Sequence, residues 1–185
     1  MAEAIYGVLS GKARAHSAIE AHPEFAAKLG AMIAVFALVE RDMPWVVAKL
    51  TGMDVSDAFT IVSVFRAFSN RLDVLEELIK GRDPESLERQ IATYFKGRFK
   101  EANRIRNKYV HASYVGDKDP IYIEPFSSDH NRPSSAEKIT LEKLESELDL
   151  IRAVAVELYA YSRENRLPEA LHKRLFPAHH RAPKS

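Results

Sequence analysis

The 185-residue chain contains no cysteine. Disulfides, thiolate-bound zinc and cysteine nucleophiles are thereby excluded. A reducing, cytoplasmic compartment is the expected setting. Glycine is sparse, at 7 residues, and no phosphate-cradling loop is present. Neither Gly-x-x-x-x-Gly-Lys-Ser/Thr nor Gly-x-Gly-x-x-Gly occurs, and Ser10-Gly11-Lys12 lacks the preceding glycine at the required distance. A His-Glu-x-x-His helix and a serine nucleophile elbow are also missing. His16, His22, His130 and His172 have no partners at metal-ligand spacing. No cofactor and no metal are expected. The longest apolar run, Leu29 to Val39, is about half of the ~20 residues a bilayer span needs. It ends at Glu40-Arg41-Asp42 and reads as a core helix, so no membrane partner is expected. The N-terminus shows no basic region followed by an apolar stretch and a small-residue cleavage site, so secretion is not expected.

What is present is a chain of domain size with a formal net charge of +1. A chain this long buries roughly 70% of its unfolded surface and can hold a core without staples. The charge is unevenly placed. From Arg89 to Lys108 stand Arg89, Lys96, Arg98, Lys100, Arg104, Arg106 and Lys108, with Glu101 the lone acid. From Glu137 to Glu157 the balance reverses, led by Glu142, Glu145, Glu147 and Asp149. A cationic element that binds a polyanion and two solvated helix faces that neutralise each other both fit this pattern.

Hydrophobic spacing predicts an all-α bundle of four to five main helices. Ala15 to Arg41 reads as the first, with His22-Pro23-Glu24 as a start signal. Asp42-Met43-Pro44 restarts the chain, Trp45 to Leu50 forms a short second helix, and Gly52 ends it. Asp54 or Ser56 caps a third helix that runs to Lys80, with Phe59, Val62, Phe65, Phe68, Leu72, Leu75 and Ile79 on its apolar stripe. Gly81 stops it. Asp83-Pro84-Glu85 opens a fourth helix ending near Ser113. Gly116 to Pro120 is a turn cluster, and Ile121-Tyr122-Ile123 suggests a short β-hairpin insertion. Ser127 to Ser135 reads as a polar loop. Thr140 caps a last long helix, and Leu167 to Phe176 forms a short terminal one. Residues 1–176 make a single domain, followed by a basic tail over 177–185.

The fourth helix ends in Asn103-Arg104-Ile105-Arg106-Asn107-Lys108-Tyr109-Val110-His111. Asn103, Asn107 and His111 recur every four residues along one face. Arg106 is offset by about 140° on an ideal helix and reaches the same cleft by its length. Guanidinium offers a planar fork of donors to a phosphate. Imidazole exchanges protons near neutrality, and the amide can orient either group. Together they suit metal-free phosphodiester cleavage by the ribose 2′-OH. That reaction needs a base at the 2′-OH, an acid at the leaving 5′-oxygen and positive charge at the phosphorus. Basic residues also gather at helix C-termini because the dipole favours them there, and His111 can serve simply as a carbonyl cap.

The string Arg106-Asn107-Lys108-Tyr109-Val110-His111, at the end of a long bundle helix, resembles the motif of the HEPN (higher eukaryotes and prokaryotes nucleotide-binding) superfamily. That motif is an arginine, four to six residues, then a histidine, with a polar residue commonly following the arginine. Arg106 meets it at the shortest spacing. Arg104 meets it at the longest but is followed by Ile105. The resemblance covers about Asp54 to Leu158 in order and length. It implies an RNA-binding protein, and in many members a metal-independent endoribonuclease of toxin–antitoxin, defence or RNA-processing systems. Arg106, Asn107 and His111 would then be catalytic. Arg104 and Lys108 would hold flanking phosphates, and Tyr109 would stack on a base or pack in the bundle. Tyr114 has the same two options. Arg66 and Arg71 face the same cleft or solvent. The resemblance further implies a homodimer, with two motifs facing across one cleft, and a protein partner such as an antitoxin. The alternative from a different class is a non-catalytic helical dimer or protein-interaction module.

Overall fold

The computed structural model describes residues 19, 21–115, 121–125 and 136–177. The turn expected over 116–120, the loop over 127–135 and the tail beyond residue 177 lie outside them. Among the described residues the helices are α1 (Pro23–Thr51), α2 (Val55–Val64), α3 (Phe68–Lys80), α4 (Leu87–Val110), α5 (Leu141–Glu164) and α6 (Glu169–Leu175). Between α4 and α5 lie strands β1 (Ala112–Val115), β2 (Ile121–Pro125) and β3 (Glu137–Ile139). The protein is mostly helical but carries a small antiparallel sheet, ordered β1-β2-β3. No helix among the described residues is long and apolar enough to cross a membrane.

α1 is one helix of 29 residues, not the two expected, and Pro44 lies inside it. An interior proline forfeits a backbone bond and costs ~3 kcal/mol. Val39, Met43, Val46, Val47 and Leu50 are all buried across the proline. At ~1.5–3 kcal/mol per large apolar side chain, that continuous stripe outweighs the loss. Gly52, at φ 75°, ends the helix in the left-handed conformation expected of a glycine stop.

The opposite correction applies downstream. The single helix expected from Asp54 to Lys80 is two, α2 and α3, with Phe65 and Ala67 in extended conformations between them. Val62 and Phe68 would sit about 120° apart on a continuous helix. The break lets both reach the core, where they are 2% and 6% exposed. Arg71 secures it by donating from Nε to the Phe65 carbonyl at 2.7 Å. Asp54 caps α2, as expected, by accepting from the Ser56 amide at 2.7 Å.

α4 starts at Leu87 rather than at Asp83-Pro84. Asp83 is spent on a turn, accepting from the Glu85 amide at 3.0 Å, and Ser86 caps the helix by accepting from the Arg89 amide at 3.3 Å. α4 also ends three residues earlier than Ser113, because the chain turns at His111 and enters β1. β1 pairs with β2, placing Tyr114 opposite Ile123. β2 pairs with β3, placing Ile121 opposite Ile139. Ile121, Ile123 and Ile139 point into the core while Tyr122 is 38% exposed, the in–out alternation of a one-sided sheet. The third strand had no sequence-level expectation. Thr140 caps α5, accepting from the Lys143 amide at 3.2 Å.

α1 packs along both α4 and α5, α3 packs on α4, and the sheet follows the end of α4. Phe36, Phe68 and Phe99 join α1, α3 and α4 through edge contacts at 5.0 and 6.1 Å.

Candidate functional site

His111 stands at the one-residue junction between α4 and β1. Its amide donates to the Asn107 carbonyl at 3.3 Å, closing the last helical turn. Just beyond, the Tyr114 hydroxyl donates to the Tyr109 carbonyl at 2.6 Å, and the Tyr114 ring meets Phe25 of α1 edge-on at 5.9 Å. These ties fix the angle at which the chain leaves the helix and so hold the exposed imidazole in place. Burial pushes the Tyr114 hydroxyl far above its ordinary range, so it stays a donor.

Arg106, Asn107 and His111 come together. Arg106 Nη1 donates to Asn107 Oδ1 at 2.8 Å and lies 3.4 Å from His111 Nε2. Arginine can only donate, so this contact matches the imidazole tautomer with its proton on Nδ1 and the Nε2 lone pair accepting from Arg106. The guanidinium rests over Phe36 at 5.6 Å from the ring centroid. The ring supports it from the core side and restricts where the fork can point. The result is a positioned cation beside a proton-accepting nitrogen at an exposed helix end.

The other expected site residues are placed differently. Lys108 is 16% exposed and held by Glu137 at 3.3 Å and Glu147 at 3.1 Å. It is neutralised within the fold and offers no free ammonium to a phosphate. Tyr109 is fully buried and its hydroxyl donates to Glu147. It presents no ring face for a base to stack on, and the packing alternative is the observed one. Desolvation, followed by the Glu147 carboxylate, raises its hydroxyl well above the ordinary tyrosine range. Arg104 is exposed. Arg71 is held by the Phe65 carbonyl and lies 4.0 Å from Glu40, while Arg66 is exposed at the α2–α3 break.

The basic run of α4 is mostly paired. Lys96 and Lys100 reach Glu76 of α3 at 3.6 and 3.0 Å, and Arg98 reaches Glu157 of α5 at 3.0 Å. Mutual neutralisation of neighbouring helices therefore accounts for Lys96, Arg98, Lys100 and Lys108; of the rest, Arg89 donates to the Arg82 carbonyl at the start of α4, and Arg104 and Arg106 stand near its end. Sequence reasoning missed Phe36 as the platform under Arg106 and Glu147 as the acid beneath the site. In the chain Phe36 is one residue of the apolar run Leu29 to Val39, and Glu147 one of several acids before α5 ends.

Two surface depressions of the described residues lie at the starts of α1 and α5, lined in part by Glu24 and Glu142, and neither is lined by Arg106 or His111. His111 is exposed, and Arg106 is half-buried against Phe36. Among the described residues no three His, Asp or Glu side chains converge as a metal-ligand group. Compared with family models, with curated proteins and with solved structures, the chain matches none of them.

Proposed function

We infer that this chain is a HEPN-like RNA-binding protein that cleaves RNA without a metal, using Arg106 and His111. The observation that carries the reading is the contact of Arg106 Nη1 with both Asn107 Oδ1 and His111 Nε2 on an exposed helix end. In this reading the phosphate draws the Arg106 fork off Nε2, and the lone pair so released takes the proton of the ribose 2′-OH as that oxygen attacks phosphorus. Arg106 stabilises the charge gathering on the phosphoryl oxygens. Asn107 keeps the guanidinium oriented, and Arg104 meets a neighbouring phosphate. The products are a 2′,3′-cyclic phosphate and a free 5′-hydroxyl, whose oxygen needs a proton from an acid. One chain supplies one histidine here, so a separate base and acid call for a second copy, and the homodimer belongs to the proposal. A toxin or defence role with a restraining protein partner is the setting the resemblance suggests.

The test is incubation of a mixed RNA pool with the purified protein in EDTA, beside His111→Ala and Arg106→Lys. Fragments ending in 2′,3′-cyclic phosphate are expected from the native chain, none from His111→Ala, and at least about tenfold fewer from Arg106→Lys, which keeps the charge but loses the fork. Equal cleavage by His111→Ala would remove the catalytic assignment.

A second reading, a non-catalytic helical interaction module, draws on the internal neutralisation of α4 by Glu76, Glu157, Glu137 and Glu147. It predicts no RNA binding even at low salt. Phosphate contacts predict binding that weakens steeply as salt rises.

A further inference from the structure

β1 begins at Ala112, directly after His111, so the imidazole sits at the root of the three-stranded sheet. The sheet has two unlike faces. Ile121, Ile123 and Ile139 are buried beneath it, and Ala112 and Tyr114 pack against the same core. Strand alternation turns their neighbours outward. On this outer face Ser113 pairs with Glu124, and Tyr122 with Lys138, across adjacent strands. Ser113, Tyr122 and Lys138 are exposed.

Tyr109 and Tyr114, the aromatic residues nearest His111 in the chain, are turned into the fold, where both hydroxyls are bonded. Tyr122 instead offers a ring to solvent. The lysines divide in the same way. Lys108 and Lys143 converge on Glu137 of β3. Lys138, the next residue on that strand, points away from them and has no ion-pair partner among the described residues. The register sets it directly across from Tyr122, where cross-strand Cβ atoms are ~5 Å apart. An aromatic face with an ammonium beside it is what single-stranded nucleic acid uses, the base on the ring and a phosphate on the cation.

The distance from His111 fits as well. Val115, paired with Tyr122, is four residues beyond His111. At ~3.3 Å per residue and ~4.8 Å between strands, Tyr122 stands ~14 Å from His111, past the nucleotide being cut and within reach of a neighbouring one. Attack by the 2′-OH needs that oxygen, phosphorus and the leaving 5′-oxygen in line, a geometry that a regularly stacked strand does not present. A flanking base held on a fixed ring keeps the backbone splayed into it. Glu124 shares the face and has a partner of its own. Its carboxylate repels phosphate, so the RNA backbone passes on the Lys138 side and the base lies over the ring.

We propose that the outer face of the sheet is a base-binding subsite for single-stranded RNA, in which Tyr122 stacks on the base of a nucleotide flanking the cut and Lys138 holds a phosphate beside it. The inference rests on the RNA reading above and adds that the substrate is unpaired at this flanking nucleotide. Duplex RNA keeps its bases stacked on one another and cannot use the ring.

Fluorescence anisotropy of a short labelled single-stranded RNA of mixed sequence tests it, with the full chain carrying His111→Ala as the non-cleaving parent. Tyr122→Ala is expected to weaken binding at least about fivefold, and Tyr122→Phe, which keeps the ring, less than about twofold. Lys138→Gln is expected to weaken binding and to lower the slope of log affinity against log salt by ~0.7, the share of one phosphate contact. With duplex RNA of the same sequence, Tyr122→Ala should change affinity less than about twofold. A parent that binds RNA equally well with Tyr122→Ala would overturn the subsite and leave the RNA reading standing. A loss equally large with Tyr122→Phe or with duplex RNA would point to a disturbed sheet and overturn it too. An unaltered salt slope in Lys138→Gln would reject the phosphate contact. A parent that binds no RNA would overturn the subsite, and absence of cleavage by the native chain besides would take the RNA reading with it.

Discussion

Replacing Glu147 with alanine probes the support beneath the candidate site. The Glu147 carboxylate accepts from the Lys108 ammonium at 3.1 Å and from the Tyr109 hydroxyl. The Lys108 and Glu147 side chains are only 16% and 15% exposed, and Tyr109 is wholly buried. Removing the acid leaves a largely desolvated ammonium with Glu137 alone and a buried hydroxyl with no acceptor. Breaking a buried pair from one side costs ~3–5 kcal/mol. Glu137, 3.3 Å from Lys108, retains part of the compensation and sets the expectation near the low end, ~3 kcal/mol. For a domain of this size that lowers Tm by ~6–12 °C. Tyr109→Phe alone should cost ~1.5 kcal/mol, the loss of one bond to a charged acceptor. In the Glu147→Ala background it should cost ~0.5 kcal/mol or less, because that bond is already gone. Urea unfolding followed by circular dichroism measures all three variants. A loss below ~1 kcal/mol for Glu147→Ala, or an undiminished Tyr109→Phe cost in that background, would refute the network as the support of this helix end.

Two pH dependences follow from neighbouring groups. The Lys143 ammonium, and then Lys108 beyond the opposing cost of burial, hold the Glu137 carboxyl below its ordinary range. Its stabilising contribution is therefore present above the unfolded-state value of ~4.3 and is lost as pH falls through the lower folded value. The urea midpoint should drop over that acid window, and Glu137→Gln should flatten the drop. At the alkaline end, burial pushes the Tyr161 hydroxyl up to about 12. A raised acid contributes stability below its unfolded value of ~10 that fades as pH rises toward the folded one. The phenolate absorbance band should show Tyr161, with Tyr109 and Tyr114, ionising above the ordinary tyrosine range. Tyr109, Tyr114 and Tyr161 titrating near pH ~10 in the folded protein would contradict the observed burial.

Local chemistry was legible in the chain. Gly52 and Gly81 end helices as expected, and Asp54 and Thr140 cap them, since each acts through its own backbone and the next few residues. The stripe from Phe68 to Ile79 faces the core as its spacing indicated. Arg106, Asn107 and His111 are adjacent because they share one helical turn and its exit. The pairing of the basic α4 with acidic neighbours was one of two open readings, and side-chain distances show it for Lys96, Arg98, Lys100 and Lys108.

What the sequence alone determined, then, was the helical character, most stop and start signals and the grouping of Arg106 with Asn107 and His111. All of these depend on residues within a turn or two of one another. The continuation of α1 through Pro44 and the break at Phe65 were tertiary decisions, because burial of Val39, Met43 and Phe68 against other helices outweighs local preference. So were the short third strand, which exists only by pairing with β2, and the fates of Lys108 and Tyr109. Both stand beside the motif in sequence, yet Glu147, 38 residues beyond Tyr109 on α5, removes them from the surface. A contact across that distance leaves no periodic trace in the chain and is settled only when the helices pack.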